Sequence, residues 1–289
     1  MTDYITVDGK VFRTDTQSAS FVTITPTEAL AMMVRNTRNR NIRRDHIDNI
    51  TRDMAQGNWM VDGSAIRFDT NGRMIDGQHR LKACIISGKP LKTLIVTGID
   101  PKAGVIIDTG AKRTAGDMLN MIGNAGGSGN TVAAAIRVLV GYATGELSKA
   151  KVTMSEVYSV FEVHPGIARS ATAVASCPIE RSMVAALHYA MSADGHTDAA
   201  DNWARTWNEG VPAYSGDPAH RLRERFLRER TASVKSIIPV RRNLALNAYR
   251  HFIAGIPIKI LRGHDNTRLA GWSLTRLGLP ERASDGEAQ

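Results

Sequence analysis

The feature that most constrains the fold is a change in hydrophobic period at the glycine-rich run 123–130, GNAGGSGN. Before this run, segments with strand-like alternation are interleaved with short helical patterns, whereas after it the period is helical almost to the C-terminus. We therefore predict an α+β fold, in which a small α/β core is followed by an all-helical domain. The expected boundaries are 1–122 for the α+β domain, 123–130 for a linker, 131–262 for the helical domain and 263–289 for a C-terminal tail.

Turn and capping residues predict where several elements begin. Asp8-Gly9 indicates a short hairpin in an otherwise weakly patterned N-terminus. Thr25 with Glu28 and Thr153 with Glu156 have the spacing of capping boxes, which predicts that a helix starts after each threonine. The main remaining predictions are a hairpin at 64–68 and 73–75, a helix at 78–87, and strands at 91–97 and 256–261.

The positive charge is concentrated in two stretches. The 289 residues include 37 Lys and Arg against 28 Asp and Glu, a net charge of +9, and because ten of the 37 are Lys, 27 are Arg. The stretches 35–52 and 221–242 carry the excess, which predicts binding to DNA or another phosphate-rich polyanion. An alternative is that these are solvated helix faces, stabilised by ion pairs such as Arg225 with Glu229 and Glu224 with Arg228. The DNA-binding candidates are Arg38, Arg40, Arg43, Arg44, Arg221, Arg223, Arg225 and Arg228.

Several classes of protein are disfavoured by what the chain lacks. No apolar run reaches the roughly 18 residues that a membrane span needs, and the first ten residues have no apolar segment of a secretory signal, so we expect a cytoplasmic protein without a membrane partner. Cys84 and Cys177 both lie in apolar helical patterns, which predicts buried, reduced thiols. No P-loop pattern is present, and the histidine spacing does not suggest a metal centre.

The strongest chemical motif is the segment 76–83, DGQHRLKA. A strand that ends at Asp76, followed by Gly77 and a helix, would aim backbone N–H groups and the positive helix end at one point, and Arg80 would add a cation for a phosphate group. His79 supplies a hydrogen-bond donor or a proton carrier, and the Gln78 amide can orient a phosphate or a water. The alternative is structural, with Asp76 capping the helix while His79 and Arg80 are polar residues of its first turn.

The order of these motifs resembles the ParB/sulfiredoxin superfamily, in particular the DGQHR-type proteins of bacteriophages and mobile elements. The resemblance covers about 80 residues, from Asn39 to Asp117, and includes Gly57-x-Trp59, Ile66-x-Phe68-Asp69, 76–80 and 107–110. It implies a ParB/sulfiredoxin-like core, a nucleoside triphosphate (CTP or ATP) with Mg²⁺ as cofactor, DNA as partner, and a bacterial host cell as location. Some relatives form homodimers, which makes a homodimer a further possibility.

The resemblance also assigns roles to individual residues. It implies that nucleotide phosphates are held by Gly77, Gln78, His79, Arg80, Arg113 and Thr114. Asp76, His79 and Asp108 are the candidate catalytic residues, with Asp76 orienting His79 or a metal-bound water. Sulfiredoxins carry their reactive Cys where this chain has Gln78, which excludes sulfinic-acid repair. ParB partition proteins usually carry Glu-Arg in place of Gln78-His79, which argues against a CTP switch.

Three functions follow as hypotheses. The first is a ParB-like protein that binds a nucleotide at the DGQHR segment and DNA through one or both basic stretches. The second is an enzyme, either a kinase-like phosphotransferase or NTPase or a nuclease. The nuclease is less favoured, because the sequence has no tight cluster of acidic metal ligands. The third is a non-catalytic interaction protein that has lost its nucleotide.

Overall fold

The computed structural model describes residues 4–37, 44–105, 113–122, 128–148, 150–229 and 234–281. The chain divides into two compact units, residues 1–112 and 113–289. The first unit contains both sheets and the second is built from helices, so the fold is α+β, as predicted. Among the described helices, none combines the length and apolar composition that are needed to cross a bilayer.

The first unit contains a two-stranded hairpin and a four-stranded mixed sheet. The hairpin pairs β1 (Tyr4–Val7) with β2 (Lys10–Arg13) around Asp8-Gly9, as predicted. The sheet has the order β3-β6-β4-β5, with β4 parallel to β6 and the other pairs antiparallel. Its strands are β3 (Ser18–Ile24), β4 (Ala65–Asp69), β5 (Met74–Asp76) and β6 (Leu91–Ile99).

Three helices accompany this sheet: α1 (Pro26–Met33), α2 (Arg44–Ala55) and α3 (Gln78–Ser87). Both α1 and α2 pack against α3. The predicted capping box starts α1, because the Thr25 hydroxyl accepts from the Glu28 amide while Glu28 Oε2 accepts from the Thr25 amide at 2.8 Å. Leu81 and Cys84 of α3 are fully buried in the core, which anchors α3 and thereby fixes the position of the DGQHR segment.

The second unit contains eight helices in its described residues, arranged mainly around the apolar helices α5 and α8. Trp203 and Trp207 are fully buried, so these two rings belong to the core. The eight helices are α4 (Ala115–Met121), α5 (Gly129–Thr144), α6 (Met154–Val163), α7 (Ile167–Ala173), α8 (Arg181–Ala193), α9 (Thr197–Glu209), α10 (Pro218–Arg228) and α11 (Val234–Ile253).

The domain boundary and the C-terminal region differ from the prediction. Because Ala115 and Leu119 of α4 are buried in the helical core, the division falls at residue 112 instead of 122, and of the predicted linker, residues 123–127 lie outside the described residues. The predicted strand at 256–261 is wrong, since this segment is irregular. Up to Glu281 the expected tail is part of the core, where it buries Leu269, Trp272, Leu274, Leu277 and Leu279.

Candidate functional site

A strand end and a glycine turn form the corner that contains the DGQHR segment. The backbone of β5 ends at Asp76, and Gly77 turns it with a φ of 107° before α3 begins at Gln78. A Cβ atom on Gly77 would lie 2.4 Å from Ile66 Cδ1, so glycine lets α3 start this close to β4. Gly77 provides no side-chain cap, and the first turn of α3 has no acidic residue. No carboxylate within that turn therefore offsets the positive end of the helix dipole.

Asp76 makes the main ionic contacts of this corner. Its Oδ1 accepts a hydrogen bond from the Gly77 amide at 2.7 Å, and its Oδ2 lies 2.6 Å from Arg67 Nη1 and 3.1 Å from Arg80 Nη2. Arg80 Nη2 also donates to the Ala65 carbonyl at 2.8 Å. The side chains of Arg80 and Asp76 are 13% and 20% exposed. The chain therefore holds the Arg80 guanidinium itself, and both oxygens of Asp76 already accept hydrogen bonds.

These contacts favour the structural interpretation for two of the predicted site residues. Arg80, expected to bind phosphate, lies in an internal ion pair, and Asp76, expected to orient His79 or a metal-bound water, binds two guanidinium groups instead. Together they join β4, β5 and α3. Asp76 does not cap α3 in the usual sense, because it accepts from the amide of the N-cap residue Gly77. The catalytic and phosphate-binding roles of both residues stay predictions.

Polar side chains from three separate chain segments converge on the start of α3. Asn36 Nδ2 donates to Gln78 Oε1 at 3.0 Å, and the imidazole of His46 meets that of His79 edge to face with 5.1 Å between ring centroids. Gln78 is 5% and His79 7% exposed, whereas His46 on α2 is exposed. Amide and imidazole N–H groups are donors, which suit an anion at a helix N-terminus. Sequence reasoning missed Asn36 and His46, because only the fold brings them to the motif.

The other two predicted nucleotide ligands belong to the second unit. Thr114 is the N-cap of α4, where its Oγ1 accepts from the Asp117 amide at 3.1 Å and its amide donates to Asp117 Oδ2 at 2.8 Å. This capping box accounts for Thr114 without a ligand. Arg113 is exposed. Asp108, the candidate base, lies outside the described residues.

Two predicted DNA-binding arginines of α10 make contacts inside the second unit. Arg223 Nε donates to the Trp207 carbonyl at 3.0 Å, and Arg225 Nη1 donates to the Leu261 carbonyl at 3.2 Å. Arg225 Nε also pairs with Glu229 at 2.8 Å, which confirms the i,i+4 pair that the sequence predicted. These contacts tie α10 to α9 and to the segment after α11, so both arginines contribute to the folded unit.

Arg221 and Arg228 are the more exposed arginines of α10. Arg228 Nε donates to the Glu224 carbonyl at 3.3 Å, while Glu224 Oε1 pairs with Arg223 at 2.9 Å. The predicted ion pair between Glu224 and Arg228 is therefore not formed, because the neighbouring arginine takes the carboxylate. A polyanion that approached α10 would meet Arg221 and Arg228 first.

The first basic stretch also includes an arginine that makes internal contacts. Arg35 Nη1 donates to the Gly72 carbonyl at 3.0 Å and Nη2 donates to the Tyr4 carbonyl at 2.8 Å, so this side chain joins three parts of the first unit. Arg44 begins α2 and is exposed. The remaining predicted DNA-binding residues of this stretch lie outside the described residues: Arg38, Arg40 and Arg43.

A Ser–His–Asp set in the second unit has no signal in the sequence. His188 Nδ1 lies 2.9 Å from Ser170 Oγ, and His188 Nε2 lies 3.7 Å from Asp201 Oδ1. In serine hydrolases the nucleophile is exposed and the carboxylate is buried. Here Ser170 is 2% exposed and the Asp201 side chain is 62% exposed, which is the reverse. Burial lowers the pKa of His188, and we assign the set to the packing of α7, α8 and α9.

Both cysteines are buried free thiols, as predicted. Burial raises the pKa of Cys84 in the first unit and of Cys177 in the second. Because the thiolate is the nucleophile and the metal ligand, a raised pKa disfavours either role at neutral pH. Both residues therefore serve packing.

Comparison with known proteins adds no family. Neither a scan against protein-family models nor searches of curated proteins and of solved structures find a match to this chain. In the described part of the chain, no group of three or more His, Cys, Asp or Glu side chains is placed to hold a metal ion. The functional argument rests on the motif residues and on the geometry of the corner around Gly77.

Proposed function

We propose that the first unit binds the phosphates of a nucleoside triphosphate, CTP or ATP with Mg²⁺, at the start of α3. The observation that carries the proposal is the convergence of Asn36, His46, Gln78 and His79 on a helix start that has no N-cap side chain. Side-chain amides and imidazoles can donate hydrogen bonds, and donors beside a helix N-terminus suit an anion. In this proposal the protein is a nucleotide- and DNA-binding protein of the DGQHR type.

Asp76 and Arg80 have a supporting role in this proposal. Their ion pair joins the end of β5 to the first turn of α3, and the absence of a side chain at Gly77 allows its backbone to lie against Ile66. His79 would be the main side-chain ligand, since it lies in the first turn and its ring meets the exposed His46. The sequence analysis expected Arg80 to hold the phosphates together with Gly77, Gln78 and His79, so this assignment changes the role of Arg80.

The direct test is titration calorimetry of the full chain with CTP and with ATP in the presence of Mg²⁺. The His79→Ala variant should lose affinity by about tenfold or more, the value of one charge-assisted hydrogen bond. Lys89→Ala is the matched control, because it removes an exposed cation beyond the opposite end of α3 and should leave affinity unchanged. If wild-type protein gives no binding heat with either nucleotide, the proposal is wrong.

The role of Arg80 is tested by a variant that keeps the charge of the corner balanced. Asp76→Asn combined with Arg80→Gln removes one charge of each sign and leaves groups that can still hydrogen-bond. If Arg80 only supports the corner, the double variant binds nucleotide within a few-fold of wild type. A loss as large as that of His79→Ala would make Arg80 a direct ligand, as the sequence analysis expected.

DNA binding is the second part of the proposal, and the exposed arginines support it. We expect Arg221→Ala and Arg228→Ala each to lower the slope of log affinity against log salt by about one unit, because each removes one phosphate contact. Arg223→Ala is the control on the same helix, since its guanidinium is bonded to Trp207 and Glu224. Unchanged slopes in both exposed variants would mean that α10 is a solvated face.

One observation favours a second candidate, a non-catalytic interaction protein without a nucleotide. Arg67 and Arg80 both bind Asp76 within the corner, so the Asp76 carboxylate and these two guanidinium groups have partners without a ligand. The enzymatic alternatives, a phosphotransferase or a nuclease, gain less support, because both oxygens of Asp76 are already hydrogen-bonded. Release of inorganic phosphate from ATP or CTP would favour an enzyme, and absence of nucleotide binding would favour the interaction protein.

A further inference from the structure

A preformed cavity lies within the second unit, and no residue of the DGQHR segment lines it. Its volume is about 690 Å³, which falls in the usual range for small-molecule sites, about 300 to 1,000 Å³. Residues 145–148 after α5 form one wall, the segment 261–267 forms another, and residues of α10 and α11 complete the lining. All of its lining residues belong to the one compact unit.

Side chains of α11 hold both irregular walls in place. Asn243 Nδ2 donates to the His264 carbonyl and Asn247 Nδ2 donates to the Arg262 carbonyl, each at 2.8 Å. On the other side, Arg242 Nη1 donates to the Ser148 carbonyl at 2.9 Å. Because each wall is hydrogen-bonded to the same helix, the cavity needs little ordering when a ligand enters, which favours affinity.

The lining combines apolar surface with positive charge. Leu147, Leu244 and Leu261 supply buried apolar side chains, and Val240 is 51% exposed at the cavity. None of the described lining residues is acidic. Arg262 lines the cavity, is exposed, and makes no side-chain hydrogen bond or ion pair with the described residues.

Arg225 adds a second guanidinium to the lining. Its Nε is paired with Glu229 at 2.8 Å, and its Nη1 is bonded to the Leu261 carbonyl at 3.2 Å. Arg225 therefore holds the wall of the cavity in place, while Arg262 is the cation that can turn toward a ligand. An anion at Arg262 would be bound by a charge-assisted contact, and the planar guanidinium can bind two oxygens of a carboxylate, sulfonate or phosphate.

We propose that this cavity binds a small organic anion, with its apolar body against Leu147, Leu244 and Val240 and its charged group at Arg262. Size, apolar lining and the sign of the charge all point to an aromatic or aliphatic carboxylate, sulfonate or phosphate. The site is independent of the nucleotide proposal, because its residues lie in the second unit and the DGQHR segment lies in the first.

The test compares two fluorescent probes that differ in one charged group. 8-Anilinonaphthalene-1-sulfonate carries an apolar body and a sulfonate, and N-phenyl-1-naphthylamine has the same body without the charge. Wild-type protein should bind the sulfonate at least about tenfold more tightly, the worth of one charge-assisted contact. Equal affinities, or no binding of the sulfonate, would overturn the proposal.

Variants then locate the probe. Arg262→Ala should remove the preference for the sulfonate without changing the affinity for the neutral probe, and Arg169→Ala, at an exposed residue of α7 that does not line the cavity, should change neither. Val240→Trp should fill the cavity and weaken both probes by about tenfold or more, since the ring takes their volume. Because Val240 and Arg262 are exposed, we expect these variants to fold, and unfolding curves should verify it. Full sulfonate binding by Val240→Trp would place the probe elsewhere and contradict the site.

Discussion

The corner at Gly77 and the arginine-rich stretch from α10 to α11 use the same side chain in different ways. At the corner, Arg67 and Arg80 share the carboxylate of Asp76, which offsets one of their two positive charges. In the second unit, Arg242 and Arg250 donate to backbone carbonyls. A carbonyl satisfies a guanidinium without neutralising it, so the second unit keeps its positive field although several of its arginines are held in place.

The comparison separates net charge from available contacts. A cluster of arginines in a sequence predicts a positive surface, and this charge persists wherever the partners are carbonyl groups. It does not predict which guanidinium groups can reach a phosphate, because that depends on what each side chain already binds. Long-range attraction of a polyanion therefore needs only the charge, whereas a specific contact needs an exposed residue such as Arg221.

The largest expected effect concerns the packing of the corner. Gly77→Ala should destabilise the first unit by about 4 kcal/mol, because the new Cβ meets Ile66 and the φ of 107° is strained for alanine. Gly88→Ala, at a φ of 65° with open space around the Cβ position, should cost only about 1 kcal/mol. Hydrogen exchange of α3 and β6 amides measures both. Equal costs would show that the corner is looser than its contacts indicate.

Arg241→Met tests the second region. Arg241 pairs with Glu180 at 2.7 Å, donates to the Glu229 carbonyl at 3.1 Å and is 9% exposed. Its loss leaves a carboxylate without its partner, so we expect about 3 kcal/mol of destabilisation in urea unfolding followed by tryptophan fluorescence. Arg221→Met should stay within about 0.5 kcal/mol of wild type. A small effect of Arg241→Met would mean that the internal contacts of Arg241 contribute little to the stability of the second unit.

Asp76→Asn sharpens the contrast between carboxylate and carbonyl partners. The substitution leaves Arg67 and Arg80 facing one neutral amide, and we expect the first unit to lose about 2 kcal/mol, measured by hydrogen exchange. Added salt should reduce this loss, because it screens the repulsion between the two guanidinium groups. A loss that does not respond to salt would indicate that the hydrogen bonds, and not the charges, hold the corner.

The smallest expected effect is a pH dependence of the first unit. Burial tends to raise the pKa of Glu28, but hydrogen bonds from the Thr25 and Asp8 amides outweigh it and leave the pKa below its usual value. A lowered pKa adds stability above the unfolded value, and this stability is lost as the pH falls through the folded value. Glu28→Gln should therefore be less stable than wild type by about 1 kcal/mol at pH 7, with the gap closing in acid. A gap that is constant with pH would contradict the ionic cap.

Local signals in the sequence predicted most elements because their causes are local. Capping boxes at Thr25 and Thr153 and the turn at Asp8-Gly9 each act within a few residues, and all three form as expected. Strand β3 was missed because Ser18–Ile24 is rich in small and polar residues and buries only Val22 and Ile24. Its strand character comes from pairing with β6, a contact between distant parts of the chain.

The candidate site was predicted only in part for the same reason. The strand, glycine and helix of the DGQHR segment are contiguous, so the motif could be recognised without a structure. Asn36 and His46 come close to the DGQHR segment because α1 and α2 pack on α3. No pattern of spacing in the sequence predicts these two contacts. The sequence of the segment also does not reveal that Arg80 forms an ion pair with Asp76 and donates a hydrogen bond to the Ala65 carbonyl.

The amino-acid sequence alone was enough to predict the α+β division, the helix starts, the net positive charge and the glycine at the corner. Each of these depends on residues that are adjacent or one helical turn apart. Only the tertiary structure decided which arginines are bonded internally, which polar groups meet at α3, and that the C-terminal region packs into the core. Those outcomes depend on competition among partners that the folded chain brings within about 3 Å, the length of one hydrogen bond.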